Sequence, residues 1–292
     1  MTAKAVAQED TVKSSRGLEI FKRLLKNKLA VFGLVIVIIQ VFMAIFAELI
    51  TGYEPAAQDL TKTLLPVGSE GHWLGTDNYG RDVWTRLVFG ARISLLVGLS
   101  SVIIGLIGGV TLGLLAGYFK RLDAVIMRLV DLLFAFPGIL LAMLIIAILG
   151  TNLVNAVIAI SIWSIPGCAR IVRGSVLTVK NQEYITAMRS LGASNIRIMF
   201  KHILPNCMAP IIVFATLRIA TSILATASLS FLGLGAQPPT AEWGAMIAAG
   251  QDFIWKAPHL SIIPGVAIAL VVFAFNVVGD GFRDAIDPNM DL

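Results

Sequence analysis

The chain has 292 residues, of which 57% are hydrophobic and 14% charged, and its formal net charge is +5; its mean hydropathy is +0.84. Soluble domains carry about 25% charged residues, so the composition excludes an ordinary water-soluble enzyme and points to a chain held largely in a bilayer. The basic residues are scattered along the ends of apolar segments with no fold to organise them, which excludes a nucleic-acid partner.

A spanning helix needs about 20 mostly apolar residues. Six segments qualify, at residues 29–50, 93–119, 125–149, 153–168, 209–232 and 261–278. Residues 1–28 precede them as a basic tail. That tail and the apolar run after it are both too long for a secretory leader, so the first segment reads as a retained anchor. Residues 51–92 form an outer loop rich in Pro, Gly and Asp. In the second segment Gly105, Gly109, Gly113 and Gly117 recur at four-residue spacing and make a smooth groove for close helix approach. Its occupant is either another helix of this chain or a second subunit. Pro137 and Pro166 are expected to interrupt the third and fourth segments. Residues 241–255, framed by Pro238, Pro239 and Pro258, suggest a partial or re-entrant helix, and residues 283–292 a short tail.

If residues 1–28 face the cytosol, seventeen of the 23 Lys and Arg residues fall inside and five outside. The bias follows the positive-inside rule and puts both termini in the cytosol. Lys4 and Lys13 belong to that count. Cys168 and Cys207 form no C-x-x-C pair, so neither a disulfide nor a metal role is expected.

Residues 183–206, EYITAMRSLGASNIRIMFKHILPN, break the pattern. Glu183, Arg189, Arg197, Lys201 and His202 make the stretch too polar to span. Tyr184, Ala187, Met188 and Leu191 recur at helical spacing and give a short helix one apolar face. Gly192 interrupts it, and Pro205 is expected to close the second helical run. A helix–Gly–helix loop beside a membrane bundle suits docking on a soluble partner.

Catalytic motifs are missing. No Gly-Lys dipeptide occurs, so there is no phosphate-binding P-loop. His72, His202 and His259 are scattered, and no nucleophile elbow appears. The chain reads as no enzyme, with no metal or cofactor of its own. Arg218, in the middle of the fifth segment, costs a few kcal/mol on insertion scales. It either lines a path and attracts a carboxylate, or pairs with an acid on another helix or snorkels. Asp131 suits pairing with Arg128 or Arg170, and Asn276 and Asp280 suit hydrogen bonds between helices.

The central loop resembles the EAA loop of bacterial ABC importer permeases: Glu-Ala-Ala, three residues, Gly, nine residues, Ile-x-Leu-Pro. Ala187, Gly192, Leu204 and Pro205 match, whereas Thr186, Met188 and His202 depart from it. Three further blocks resemble the dipeptide/oligopeptide/nickel permease family and its "C"-type subunit. They are GTDNYGRDVWTRLVFGARISL (75–95), SFLGLGAQPPTAEWGAMIAAG (230–250) and FNVVGDGFRDAIDP (275–288). The resemblance implies an all-α polytopic membrane protein with the type I ABC importer (MetI-like) permease fold, its core at residues 93–282. It implies a bacterial inner-membrane location and a homologous second permease that completes the pore. It further implies two cytosolic ATPases that use ATP and Mg, an extracytoplasmic solute-binding protein, and coupling through Glu183, Tyr184, Ala187, Met188, Arg189, Leu191, Gly192 and Ala193. The implied cargo is dipeptides or oligopeptides, with glutathione or a nickel chelate as alternatives. An ATP-independent channel or secondary carrier is the rival; a carrier would show inverted repeats, and none is found.

Overall fold

The computed structural model describes residues 16–286. Lys4, Lys13 and residues 287–292, which enter the topology and tail expectations, lie outside the described residues. Among those described there are helices and two isolated bridges but no strand.

Within residues 1–28, expected to be a tail, Arg16–Lys26 forms helix α1. Its Leu24 is buried against Ala30 and Ala285. Asn27 then caps α2, Lys28–Ile45, by accepting from the N–H groups of Leu29 and Ala30, the usual service of an N-cap side chain. The first apolar segment is not one helix to residue 50. It breaks at Phe46 and resumes as α3, Ala47–Ile50.

The second span, α4, runs Val83–Tyr118. It starts ten residues before the hydropathy edge at 93, so the outer loop ends at residue 82 and not at 92. Two causes are visible. Asp82 Oδ2 accepts from the Thr85 N–H at 2.7 Å and fixes the start. The arginines that made residues 83–92 look like loop are satisfied at a distance. Arg86 donates to the carbonyls of Pro55 and Pro239, and Arg92 to the carbonyl of Ala44 and to Glu48.

The third segment is broken, as Pro137 suggested. Helices α5, Lys120–Phe134, and α6, Gly138–Leu149, meet at 91°. Pro166, in contrast, interrupts nothing. The fourth span, α7, runs Leu153–Lys180 with Pro166 buried inside it. It continues past 168 because its charges are paired: Arg170 with Asp131 at 2.6 Å and Arg173 with both oxygens of Asp123.

After the short α8, Glu183–Ser190, and α9, Asn195–Arg197, the helical path does not stop at Pro205. The ladder widens to a π turn at Ile198–Ile203 and tightens to a 3-10 turn at Leu204–Cys207. It then continues as α10, Met208–Phe231. The change of pitch accommodates a residue with no N–H and a ring that crowds the preceding turn. Residues 241–255 contain the expected short helix, α11, Trp243–Gly250. The last span, α12, runs His259–Ile286, past the expected edge at 278. Helices α2, α4, α7, α10 and α12 are long and apolar enough to cross a membrane, and the bent α5–α6 pair makes a sixth candidate.

The glycine groove of α4 is filled from within. Helices α4 and α7 form the most extensive pair in the fold. A Cβ added at Gly105, Gly109, Gly113 or Gly117 would come within 3.0 Å of Ser164, Cys168, Val172 and Val176 respectively. The alternative of a second subunit in this groove is therefore overturned: α7 of the same chain occupies it. Gly90 and Gly98 extend the stripe toward Trp243 and Ile223.

Two ends of the bundle result. One end is capped by residues 51–82 and α11. Trp243 is buried there and its indole N–H donates to the Leu87 carbonyl at 2.9 Å. The other carries α8 and α9, termed here the loop end.

Candidate functional site: the exposed loop helix and the Arg218 cavity

Helix α8 buries one side chain. Ile185 is fully buried among Val176, Val179, Ile198, Met199 and Ile203. Glu183 sits in the first turn, where a negative charge favours the helix dipole. Tyr184, Ala187, Arg189 and Leu191 are exposed and Met188 is half-buried. Leu191 is 86% exposed and Ile196, beyond the turn, 72%.

The turn itself is a Schellman motif. The Ala193 N–H donates to the Met188 carbonyl at 3.1 Å and the Gly192 N–H to the Arg189 carbonyl at 3.0 Å. Gly192 has φ +80° and open space around it. The glycine is required by backbone conformation, since side-chain-bearing residues disfavour this region. Ser194 then caps α9.

The loop is tied back to the glycine-striped helix. The hydroxyl of Tyr118 donates to Asn195 Oδ1 at 2.7 Å, and the Arg189 guanidinium lies 5.6 Å from the Tyr118 ring centroid. Lys180 donates from Nζ to the Gly117 carbonyl. Asn206 donates to the Tyr184 hydroxyl at 3.3 Å.

Arg218 belongs to a separate site. Its guanidinium stacks over Trp163 at 4.3 Å, and its Nε donates to Ser164 Oγ at 3.2 Å. Nη2 is buried with no hydrogen-bond partner among the described residues. Arg218 lines a cavity of about 500 Å³ at the α5–α6 bend, with Phe134, Phe136, Trp163 and Phe214 on its walls. Pairing with an acid on another helix, one of the alternatives open for Arg218, is not what the described residues show.

Of the residues singled out in the sequence, Glu183 through Ala193 come together on one turn of exposed structure. Arg218 stands apart in the span. Asp131 pairs with Arg170 as expected, and not with Arg128. Ile185, Tyr118, Asn195 and Trp163 escaped the sequence reading. Ile185 left a faint signal as an apolar residue off the expected face. The others act through partners far away in the chain and left none.

The cap end carries a buried polar cluster. Arg81 Nε donates to Asp77 Oδ2 at 2.6 Å, and His72 Nδ1 lies 2.9 Å from Asp82 Oδ1. Glu242 caps α11, accepting from the Ala245 N–H at 2.9 Å. Burial pushes the Glu242 carboxyl above the usual range, opposed by hydrogen bonds from Gly244, Ala245, Ser230 and Ser94.

Comparison with known proteins decides the family. Residues 109–292 match the model described as "Binding-protein-dependent transport system inner membrane component". The chain belongs to that family. Residues 15–66 additionally match the N-terminal transmembrane domain of oligopeptide transport permease C. The dipeptide transport system permease protein DppC of Alkalihalophilus pseudofirmus is 50% identical over 273 residues, covering 93% of this chain and 90% of that one. A di/tripeptide transport system permease protein of Pseudomonas aeruginosa is 48% identical, covering 93% and 92%. A glutathione transport system permease protein of Pectobacterium atrosepticum is 46% identical, covering 93% and 91%. Among solved structures, an inward-facing MetNI methionine ABC transporter matches with TM-score 0.58 and 21% identity, over 70% of this chain and 98% of that one. The permease therefore has the MetI-type fold.

Proposed function

We propose that this permease forms half of the translocation pore of an ATP-driven importer of dipeptides and oligopeptides. A homologous second permease completes the pore. Two cytosolic ATPases, which use ATP and Mg, dock on the loop end. An extracytoplasmic solute-binding protein delivers cargo at the cap end. The protein then sits in the bacterial cytoplasmic membrane with both termini and the Glu183–Ala193 turn in the cytosol, as the distribution of basic residues favours.

The observation that carries this reading is the outward apolar face of α8 and its turn. Tyr184, Leu191 and Ile196 are solvent-exposed on the stretch from α8 to α9, in which Ile185 is the one buried side chain. Exposed large apolar residues grouped on a rigid, capped turn mark a protein–protein contact. The peptide cargo is supported by the dipeptide and di/tripeptide relatives. Import of glutathione, itself a tripeptide, is the second reading, supported by the 46% identical glutathione permease.

The test is ATP hydrolysis by the reconstituted assembly, stimulated by binding protein plus peptide, comparing wild type with Gly192→Pro. Proline fixes φ near −65° and cannot adopt the +80° of this turn. The expected result is an assembled complex without stimulated hydrolysis. An assembly that recruits no ATPase overturns the importer reading. Stimulation by glutathione and not by other peptides selects the second reading.

A further inference from the structure

Among the described residues, Arg218 is a cation placed in an apolar span without a counter-charge within ion-pair distance. The residues lining its cavity include no carboxylate. The guanidinium is held rather than neutralised: Trp163 covers one face and Ser164 fixes Nε. A guanidinium offers five N–H donors in a fixed fork that matches a carboxylate, and Nη2 has no hydrogen-bond partner among the described residues. Leaving an unpaired charge desolvated is costly, so a bound anion would gain from it.

The surroundings narrow the anion. The cavity, about 500 Å³, has the size of a small-molecule site. Its walls are largely apolar and include four aromatic rings, Phe134, Phe136, Trp163 and Phe214, which line the same space as Arg218. A carboxylate attached to an apolar side chain fits a single fork among aromatic walls. A short peptide presents that combination at its C-terminal residue.

The bend of the third span keeps this arrangement in place. A Cβ at Gly138 would overlap the Trp163 indole, so Gly138 lets α6 close onto the ring that carries Arg218. The 91° break at Pro137 opens the cavity beside it.

We propose that the cavity at the α5–α6 bend is a transit subsite in which Arg218 binds the free C-terminal carboxylate of a peptide, with Trp163 as the positioning residue. The proposal rests on the reading of this chain as half of a peptide pore.

The test uses the complete permease–ATPase complex in nanodiscs without the binding protein, so that its selectivity does not enter. Tritiated alanyl-phenylalanine is displaced by the unlabelled free acid or by its C-terminal amide. Wild type is expected to favour the acid by about tenfold, the scale of one charge-assisted pair. Arg218→Met should bring the acid to the level of the amide, and Arg218→Lys should keep part of the preference. If Arg218→Met does not assemble, Trp163→Leu is read instead. It keeps the charge, removes the surface that holds it, and should lower the acid-to-amide ratio. Equal binding of acid and amide by wild type, no binding of either, or a preference that survives in Arg218→Met overturns the subsite. A complex that fails here yet shows peptide-stimulated ATP hydrolysis leaves the importer reading standing; one that fails both loses both.

Discussion

Tyr118, the last residue of α4, donates its hydroxyl hydrogen to Asn195 Oδ1 at 2.7 Å. This single bond joins the loop end of the glycine-striped helix to the segment just beyond Gly192. The same ring lies under Arg189, so both sides of the Schellman turn lean on Tyr118. Tyr118 thus links α8 and its turn to α4, which packs closely on α7.

Tyr118→Phe keeps the ring and removes the bond. A neutral hydrogen bond contributes about 1 kcal/mol net, which is roughly a fivefold change in a local opening equilibrium. Amide exchange across residues 188–197 should quicken by about that factor while the spans are unaffected. Transported peptide per ATP should fall with little change in complex assembly. Unchanged exchange in this segment would show that Arg189 and the turn hold it without Tyr118.

The helical glycines of α4 and α7 include two kinds with opposite outcomes on substitution. Gly109→Ala would drive a Cβ against the Cys168 side chain, and Gly113→Ala against Val172. Overpacking of this kind costs about 1–3 kcal/mol, and both variants should melt lower in detergent. Gly174, on α7, has nothing within 4 Å of an added Cβ. Gly174→Ala should be neutral or raise stability by up to about 1 kcal/mol through helix propensity. Thermal unfolding of the three variants in parallel checks the contrast; equal losses would mean that helix packing does not decide it.

These residues also show what was legible in the sequence. The six apolar runs and the glycine stripe were readable because hydropathy and four-residue spacing are local properties. The helix edges were not. Arg86, Arg92, Arg170 and Arg173 look like loop residues until Pro55, Glu48, Asp131 and Asp123 are placed beside them by folding. The Gly192 turn was visible from its flanking apolar pattern, whereas Tyr118 was not, because its partner lies in another segment. Arg218 announced itself by the cost of a charge in a span. Trp163, which holds it, looked like any aromatic residue of a membrane helix.

Glu242 gives the cap end a pH dependence of known sign. Burial raises its pKa in the folded protein above the unfolded value near 4.5. The folded state therefore holds the proton more tightly than the unfolded state. Below the unfolded pKa the carboxyl is protonated in both states and no penalty arises. As pH rises from there through the folded pKa, the penalty for a buried charge develops and stability falls. Glu242→Gln retains an oxygen for the Ala245 N–H and has no charge to bury. Its melting temperature should be flatter than wild type over this interval and higher at neutral pH. Glu242→Ala, which loses the cap of α11, should melt lower, by about 1 kcal/mol. A wild-type melting curve that rises with pH across the same interval would contradict the assignment.

The pair Arg173–Asp123 ties α5 to α7 below the bend that opens the Arg218 cavity. It is bidentate, with Nε to Oδ1 at 2.5 Å and Nη2 to Oδ2 at 2.7 Å. Its side chains are 32% and 26% exposed, so solvent screening limits what geometry alone would suggest. A double-mutant cycle with Asp123→Ala and Arg173→Ala should yield a coupling of about 1 kcal/mol, the upper end for pairs in contact with water. Lys62 and Asp59, at 3.7 Å and about half exposed, provide the comparison and should couple much more weakly. Chemical denaturation of both cycles in the same detergent makes the measurement. If the two couplings are equal, the forked geometry adds nothing and α5 is held by its other contacts, Arg170–Asp131 among them. If Arg173–Asp123 couples more strongly, breaking it should also loosen the angle at Pro137, detectable as a broadened spin-label distance between α5 and α6.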